Sequence, residues 1–423
     1  MSSAGLLLLA GGGHSHALIL KRWAMDPGRR PARPVVLINR CSTALYSGMV
    51  PALIAGIDPP EALAIDLRSL CDRAGVSFVQ AEITGLDPIQ RCLVLANRPP
   101  LHFGLLSLDV GAISRPSAEG MAIKPLEPAL AFIASEDPNS TIPFTVVGTG
   151  AAAIEVVLAL RRRWPQRPLR LQTRSKGPGA LEQRILSEAS IDLVTTPGPT
   201  IGPRLLCTGS RGPNWLTASG LPVDGDGRLR TDALLRVEGC QQIFASGDCA
   251  VIAAAPRPAS GVWAVRGAIP LARNLEASCL DRPLRPWQPQ REALQLIGDQ
   301  HGRAWARRGR WQLGPNTLLW RWKRQIDRRF MAGFRSSEQM AITGPMACRG
   351  CAAKLPAQPL QAALNQAGLS GTPEDAARLE GDPPLLQSAD GFPALVSDAW
   401  LHGRLPTLHA CSALSTSRTR MDS

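Results

Sequence analysis

The feature that most limits what this chain can fold into is a glycine turn that occurs twice, each time behind a short apolar strand. The first copy is a strand at 6–10, then Gly11-Gly12-Gly13-His14-Ser15-His16, a helix from about 17 to 23, and a second strand at 35–39. Strand, glycine turn, helix and strand in so short a span make a βαβ unit. Such a turn is rich in glycine because a pyrophosphate lies against its backbone N–H groups, at the positive end of the helix. The pattern departs from G-x-G-x-x-G in that His16 stands at the third glycine. Where an acidic residue often holds a ribose, the second strand ends in Asn39-Arg40, and Asn39 can still bond a ribose hydroxyl. The second copy is a strand at 144–147, the turn Gly148-Thr149-Gly150-Ala151-Ala152-Ala153, and a helix to 163 with Glu155 just inside it. Its next strand, 169–174, has no acidic end, and Arg174 there suits a 2′-phosphate. A third signal is the short strand 242–246 closing in Gly247-Asp248-Cys249-Ala250. One Gly-Asp is commonly just a turn, but here it follows two dinucleotide-type turns in order.

Composition narrows the class further. The chain has 423 residues, room for two or three domains, and its 44% hydrophobic content excludes wholesale disorder. Aromatics are 4% with a single tyrosine, so a nucleic-acid groove paved with stacking rings is excluded. The net charge is +13, and only five of the 47 basic residues are lysine. That balance favours anionic ligands or surfaces without identifying one, and no nucleic-acid motif accompanies it. The ten cysteines are scattered, so reduced thiols and a cytoplasmic location are expected. The opening apolar run has no basic leader and stops at three glycines, and reads as a buried strand rather than a signal peptide. No run of ~18 apolar residues is present to span a membrane.

Taken together, Gly11–His16, Tyr46-Ser47-Gly48-Met49-Val50-Pro51, Asp109-Val110-Gly111, Ile123-Lys124-Pro125, the turn at 148–153, Gly247-Asp248-Cys249-Ala250 and Gly261-Val262-Trp263-Ala264-Val265-Arg266 resemble the FAD-dependent pyridine-nucleotide oxidoreductases. The resemblance covers about residues 5–335. It is closest to the branch related to type II NADH dehydrogenases that is fused to selenide, water dikinase (selenophosphate synthase). It implies an α/β fold of two Rossmann-like dinucleotide-binding domains, the FAD/NAD(P)-binding flavoprotein fold, plus an incomplete α/β C-terminal fragment. The FAD-binding domain is implied to be split, with its first half at 1–115 and its second half at 230–295. Between the halves lies a shortened NAD(P)-binding-like domain at 116–229, and a basic helical segment or linker follows at 296–345. A partial kinase-like segment at 346–412 and a disordered tail at 413–423 complete the chain. For FAD the resemblance implies Gly11, Gly13, His14, Asn39, Arg40, Lys124, Gly247, Asp248, Val265 and Arg266. For NAD(P)H it implies Gly148, Gly150, Glu155 and Arg174.

In the C-terminal segment, Cys348-Arg349-Gly350-Cys351-Ala352-Ala353-Lys354 resembles the opening of the dikinase, with Cys351 and Lys354 as its catalytic pair and Asp375 and Asp390 as Mg²⁺ ligands. The 78 residues from Met346 fall short of that family's domain, so Mg-ATP would serve only if the segment were completed, and no selenophosphate synthesis is expected from this chain alone. The pair Cys348 and Cys351 is alternatively a redox pair or half a zinc site, although no second close pair exists. Cys41 has no neighbouring partner for a disulfide relay, which favours direct hydride transfer to flavin.

The reading is therefore an FAD-dependent NAD(P)H oxidoreductase passing electrons to a quinone or a selenium or sulfur acceptor. The alternative is a degenerate, non-catalytic nucleotide-binding or partner-binding remnant. The expected partners are a small-molecule electron acceptor and a second copy of the chain as a homodimer, with no specific nucleic acid. Residues 305–331 are basic with interspersed Trp and Leu. They read either as a helix packed on the flavin domain or as a peripheral anchor at the inner membrane face.

Overall fold

The computed structural model describes residues 5–115, 119–173, 177–195 and 201–334, and further along the chain 357–368, 377–379, 381, 385–387, 396 and 398–421. The chain divides into two units, 1–335 and 336–423. The first is built on two parallel sheets. In one, Leu7–Ala10 lies at the centre, flanked by Val35–Asn39 and Leu105–Leu108, with Ser77–Gln80 at one edge and Ile243–Ala245 at the other. All four residues of Leu7–Ala10 are buried. Leu7 and Leu9 enter one core cluster and Leu8 and Ala10 another, as the two-residue period of a strand requires. Helices His14–Met25, Leu67–Ala74 and Gly261–Ser278 pack together in the first cluster. The antiparallel strands Ile83–Asp87, Cys92–Leu95 and Leu101–His102 supply the second.

The last strand of this sheet, Ile243–Ala245, comes after the whole second sheet, so the first lobe is discontinuous. The second sheet runs Met121–Ala122, Arg204–Leu206, Phe144–Val147, Leu169–Gln172 and Ile191–Val194 in spatial order, all parallel. The resemblance implies a shortened lobe at 116–229, and the stretch 177–204 within it is rich in Pro and Gly. Instead the helix Ala180–Glu188 and the strand Ile191–Val194 fit inside that stretch and complete five strands. Return to the first lobe is also earlier than the expected 230. Leu216, Leu221 and Leu229 already pack in the second core cluster of the first sheet.

The segment expected to be helical from 296 is different as well. It opens as an antiparallel sheet of Gln295–Gly298, Ala304–Arg308 and Trp311–Asn316. A helix, Thr317–Ala332, begins only where the Asn316 side chain accepts from the Leu319 N–H at 2.8 Å. The second unit contains helix Ala357–Gln366, the antiparallel pair Ala377–Leu379 and Leu385–Gln387, and helix Ala399–Met421. The expected disordered tail from 413 is thus helical to 421. It holds no Gly or Pro to break a helix once started, and hydrophobic period is not required for helix formation. Among the described residues no helix is long and apolar enough to cross a membrane.

Candidate functional site

A large open cleft lies at the C-terminal ends of Leu7–Ala10 and Leu105–Leu108, the point where the strand order reverses and ligands enter such sheets. Its volume is about 460 Å³, within the ~300–1000 Å³ of ordinary small-ligand pockets. Gly11, Gly13, His14, Asn39, Arg40, Lys124 and Asp248 all line it, so residues far apart in the chain meet in one crevice.

Asp109, at the end of strand Leu105–Leu108, joins the turns. Its Oδ2 accepts from the Ser15 N–H at 2.8 Å and the His16 N–H at 3.1 Å, capping the first helix from inside. A Cβ on Gly13 would collide with this carboxyl group, and so would one on Gly247, which also has a φ of 69°. Both turns therefore close on Asp109 only as glycine. Burial of Asp109 pushes its pKa up to about 7, with the two amides holding it down and Asp248 raising it further.

Asp248 pairs with Lys124 at 2.6 Å. Its other oxygen, Oδ1, is buried with no hydrogen-bond partner, and so is His14 Nε2. Burial lowers the pKa of His14, opposed by Asp248. Asn39 Oδ1 accepts from the Gly12 N–H at 2.9 Å and its Nδ2 donates to the Cys41 carbonyl at 2.8 Å, so this side chain braces the turn as well as facing the cleft. Arg40 reaches Glu127 at 2.8 Å.

Two sequence readings, Val265 with Arg266 and Glu155, are placed away from the turns they were assigned to, and His16, which stands at the third glycine, turns inward. Its Nδ1–H donates to the Gly11 carbonyl at 2.7 Å and its Nε2 accepts from the Ser107 hydroxyl at 2.8 Å, entirely buried. The imidazole fills the space a third glycine would leave between helix and strand, and burial lowers its pKa to about 4. On helix Gly261–Ser278 the cleft wall is made by Gly261 and Ala264, one turn apart. Val265 and Arg266 lie off that wall, and the Arg266 guanidinium sits 5.7 Å from the Trp263 ring centre and bonds the Gln290 side chain. In the second lobe, Gly148 tucks against the Cys207 carbonyl and Gly150 precedes helix Ala151–Arg163, where among the described residues no side chain caps the amides. Glu155 is a turn further on and faces away from them. It accepts from the Gly298 N–H at 3.0 Å and pairs with Lys323 at 3.1 Å.

Lys323 belongs to a network that the sequence did not reveal. Burial disfavours its ammonium, but Glu155 and Asp327 outweigh this and hold its pKa above the usual range. Asp327 accepts from the Tyr46 hydroxyl at 3.1 Å, and Tyr46 stacks on Phe330 with ring centres 4.3 Å apart. His14 meets Tyr46 edge-on at 5.5 Å, which connects this network to the cleft. Asp109 entered the sequence reading only within Asp109-Val110-Gly111, without a role, although an acidic residue closing the largely apolar Leu105–Leu108 is the signal that marks it. The charged network had no local signal. Arg174, Cys351, Lys354, Asp375 and Asp390 lie outside the described residues.

The fold is the two-domain α/β fold of the FAD/NAD(P)-binding oxidoreductases. The sulfide:quinone oxidoreductase from the hyperthermophilic bacterium Aquifex aeolicus superposes with a TM-score of 0.65 at 15% identity, over 78% of this chain and 91% of that one. The water-forming NADH oxidase from Lactobacillus brevis superposes with a TM-score of 0.57 at 17% identity, over 72% and 75% of the two chains. In sequence, ferroptosis suppressor protein 1 of Taeniopygia guttata is 23% identical over 316 residues, 66% of this chain and 81% of the relative. No protein-family model matches the chain.

Proposed function

We propose that this protein is an FAD-dependent oxidoreductase that accepts hydride from NAD(P)H and passes electrons to a quinone or to a sulfur or selenium species. The observation that carries this reading is the pair of buried, unpartnered polar atoms, Asp248 Oδ1 and His14 Nε2, in the cleft where the glycine turns converge. An orphaned buried polar atom costs about 1–3 kcal/mol, which a bound polyhydroxyl dinucleotide would recover. Bound there, FAD would supply the two-electron chemistry. Gly11 and Gly13 let the backbone approach its pyrophosphate. Asp248, held by Lys124, offers Oδ1 to a ribityl hydroxyl, and the neutral His14 offers Nε2. Gly148 and Gly150 open the second helix to the phosphates of NAD(P)H. At the end of its neighbouring strand stands Gln172, whose Oε1 accepts from Arg204 at 2.9 Å, rather than a carboxylate that would reject a 2′-phosphate.

The test is a visible spectrum of the purified chain. A flavin band that bleaches on adding NADH or NADPH under nitrogen, and returns with a quinone or polysulfide, is the expected result. A colourless protein that neither takes up FAD nor responds to either nucleotide would mean a non-catalytic remnant.

A peripheral membrane contact is supported by a separate observation. Helix Thr317–Ala332 buries Leu319, Asp327 and Met331, yet Leu318 is 71% exposed and Trp311, on the strand before it, 75%. Trp322 and Ile326 continue this apolar face, and Arg321, Arg328 and Arg329 line a groove on the same helix. The helix is packed on one side and has an apolar, basic outer side suited to an anionic lipid surface. Sedimentation with vesicles containing phosphatidylserine is expected, and none with neutral vesicles. The dikinase-like reading of 346–412 rests on sequence resemblance alone.

A further inference from the structure

Asp109 is placed where an anionic ligand would least welcome a carboxylate. Its Oδ2 holds the Ser15 and His16 amides, which belong to the positive end of the first dinucleotide helix. A Cβ on Gly13 or Gly247 would fall against its carboxyl group, and the residue lines the cleft beside Gly13. The groups around it offer no compensating cation. Lys124 is engaged with Asp248, and Asp248 itself adds a second negative charge. From the first helix, His16 is neutral and faces Ser107 and the Gly11 carbonyl, while His14 is held neutral by burial. From the third turn, the Cys249 thiol is buried and its pKa raised. Helix Gly261–Ser278 presents Gly261 and Ala264 to the cleft.

We propose that Asp109 is a positioning residue that accommodates the dinucleotide as its neutral acid, so that loading the cofactor draws one proton from solvent onto this carboxyl group. The inference rests on the cleft being the FAD site and adds a proton to its loading. A pyrophosphate brought to the same helix end as an ionised Asp109 would meet like charge in a water-poor wall. Protonation removes that repulsion and leaves one carboxyl oxygen still accepting from the two amides. The free protein sits close to the balance, with Asp109 titrating at about 7. By linkage, affinity for FAD is steady below that pH and falls by up to tenfold for each pH unit above it, for as long as the bound acid stays protonated.

The experiment is isothermal calorimetry of FAD added to the deflavinated full-length protein at pH 6 and pH 8.5, in buffers of different ionisation enthalpy. The expected result at pH 8.5 is uptake of about one proton per FAD bound, shrinking toward none at pH 6. Asp109→Asn should bind FAD with little pH dependence and without this uptake. His14, the other group able to gain a proton, would show the opposite profile, with uptake at pH 6 that vanishes at 8.5. FAD binding with no proton uptake at pH 8.5, or uptake that persists in the Asn variant, overturns the inference while the FAD site stands. Failure of the wild-type protein to bind FAD at any pH would overturn the functional reading itself. The proton count is measured on the wild-type protein, so it does not depend on the variant folding.

Discussion

Two glycines closing on one carboxyl group make the tightest spot in the molecule, and single substitutions there have sharp expectations. Gly247→Ala places a methyl group against Asp109 and forces a φ of 69° on an L side chain. The backbone part alone costs about 1 kcal/mol, and the collision adds to it, so a lower melting temperature and loss of bound flavin are expected, read by thermal unfolding and flavin fluorescence. Asp248→Asn should weaken FAD retention on gel filtration, because it discharges the partner of Lys124. His16 carries a pH signature. Its folded pKa of about 4 lies below the ordinary 6.5, so the unfolded chain binds the proton more readily. Its contribution to stability is complete above about 6.5 and is lost as pH falls toward 4. Denaturant titrations at pH 7 and 5 should show this loss, and His16→Gln should flatten it. The glycine turns and Gly-Asp were legible because close backbone approach demands those residues at fixed local spacing. The inward turn of His16 was not, because its partner Ser107 lies 91 positions away.

At the level of elements, the Thr317–Ala332 helix is fastened to the second dinucleotide helix by Lys323 and Glu155. Lys323→Met leaves the half-buried Glu155 without its cation, while Asp327 keeps Arg324 nearby, so the loss is expected to stay below the about 3–5 kcal/mol of breaking a fully buried pair. Glu155→Gln combined with Lys323→Met should recover some of that loss, and a double-mutant cycle followed by urea unfolding measures the coupling. Sequence reading found this helix but gave it too early a start. Strands 295–316 give no alternating signal, because Ala304–Arg308 buries two consecutive residues, Ala304 and Trp305, and ends in Arg307 and Arg308. The helix Ala180–Glu188 was hidden by the prolines and glycines around it, which are punctuation between elements and not a long loop.

Across the whole molecule, two parallel sheets in one chain were foreseeable from two βαβ signatures, and their interleaving from the order of the three turns. What could not be foreseen was how the lobes are joined, since Glu155, Lys323, Tyr46 and Asp327 come together only through the fold. A chain cut after residue 240 keeps the first turn and the entire second sheet but lacks Ile243–Ala245 and Asp248. It is expected to fold partially and to hold no FAD, measured by circular dichroism and fluorescence. A ribosome making this protein faces the same gap. Strand Leu105–Leu108 emerges with one hydrogen-bonding edge open, and its mate Ile243–Ala245 is some 135 residues behind it. At ~5–20 residues per second that edge waits on the order of ten seconds, long enough for a neighbouring nascent chain to pair with it, so yield should improve when translation is crowded less or a holdase covers the unfinished sheet.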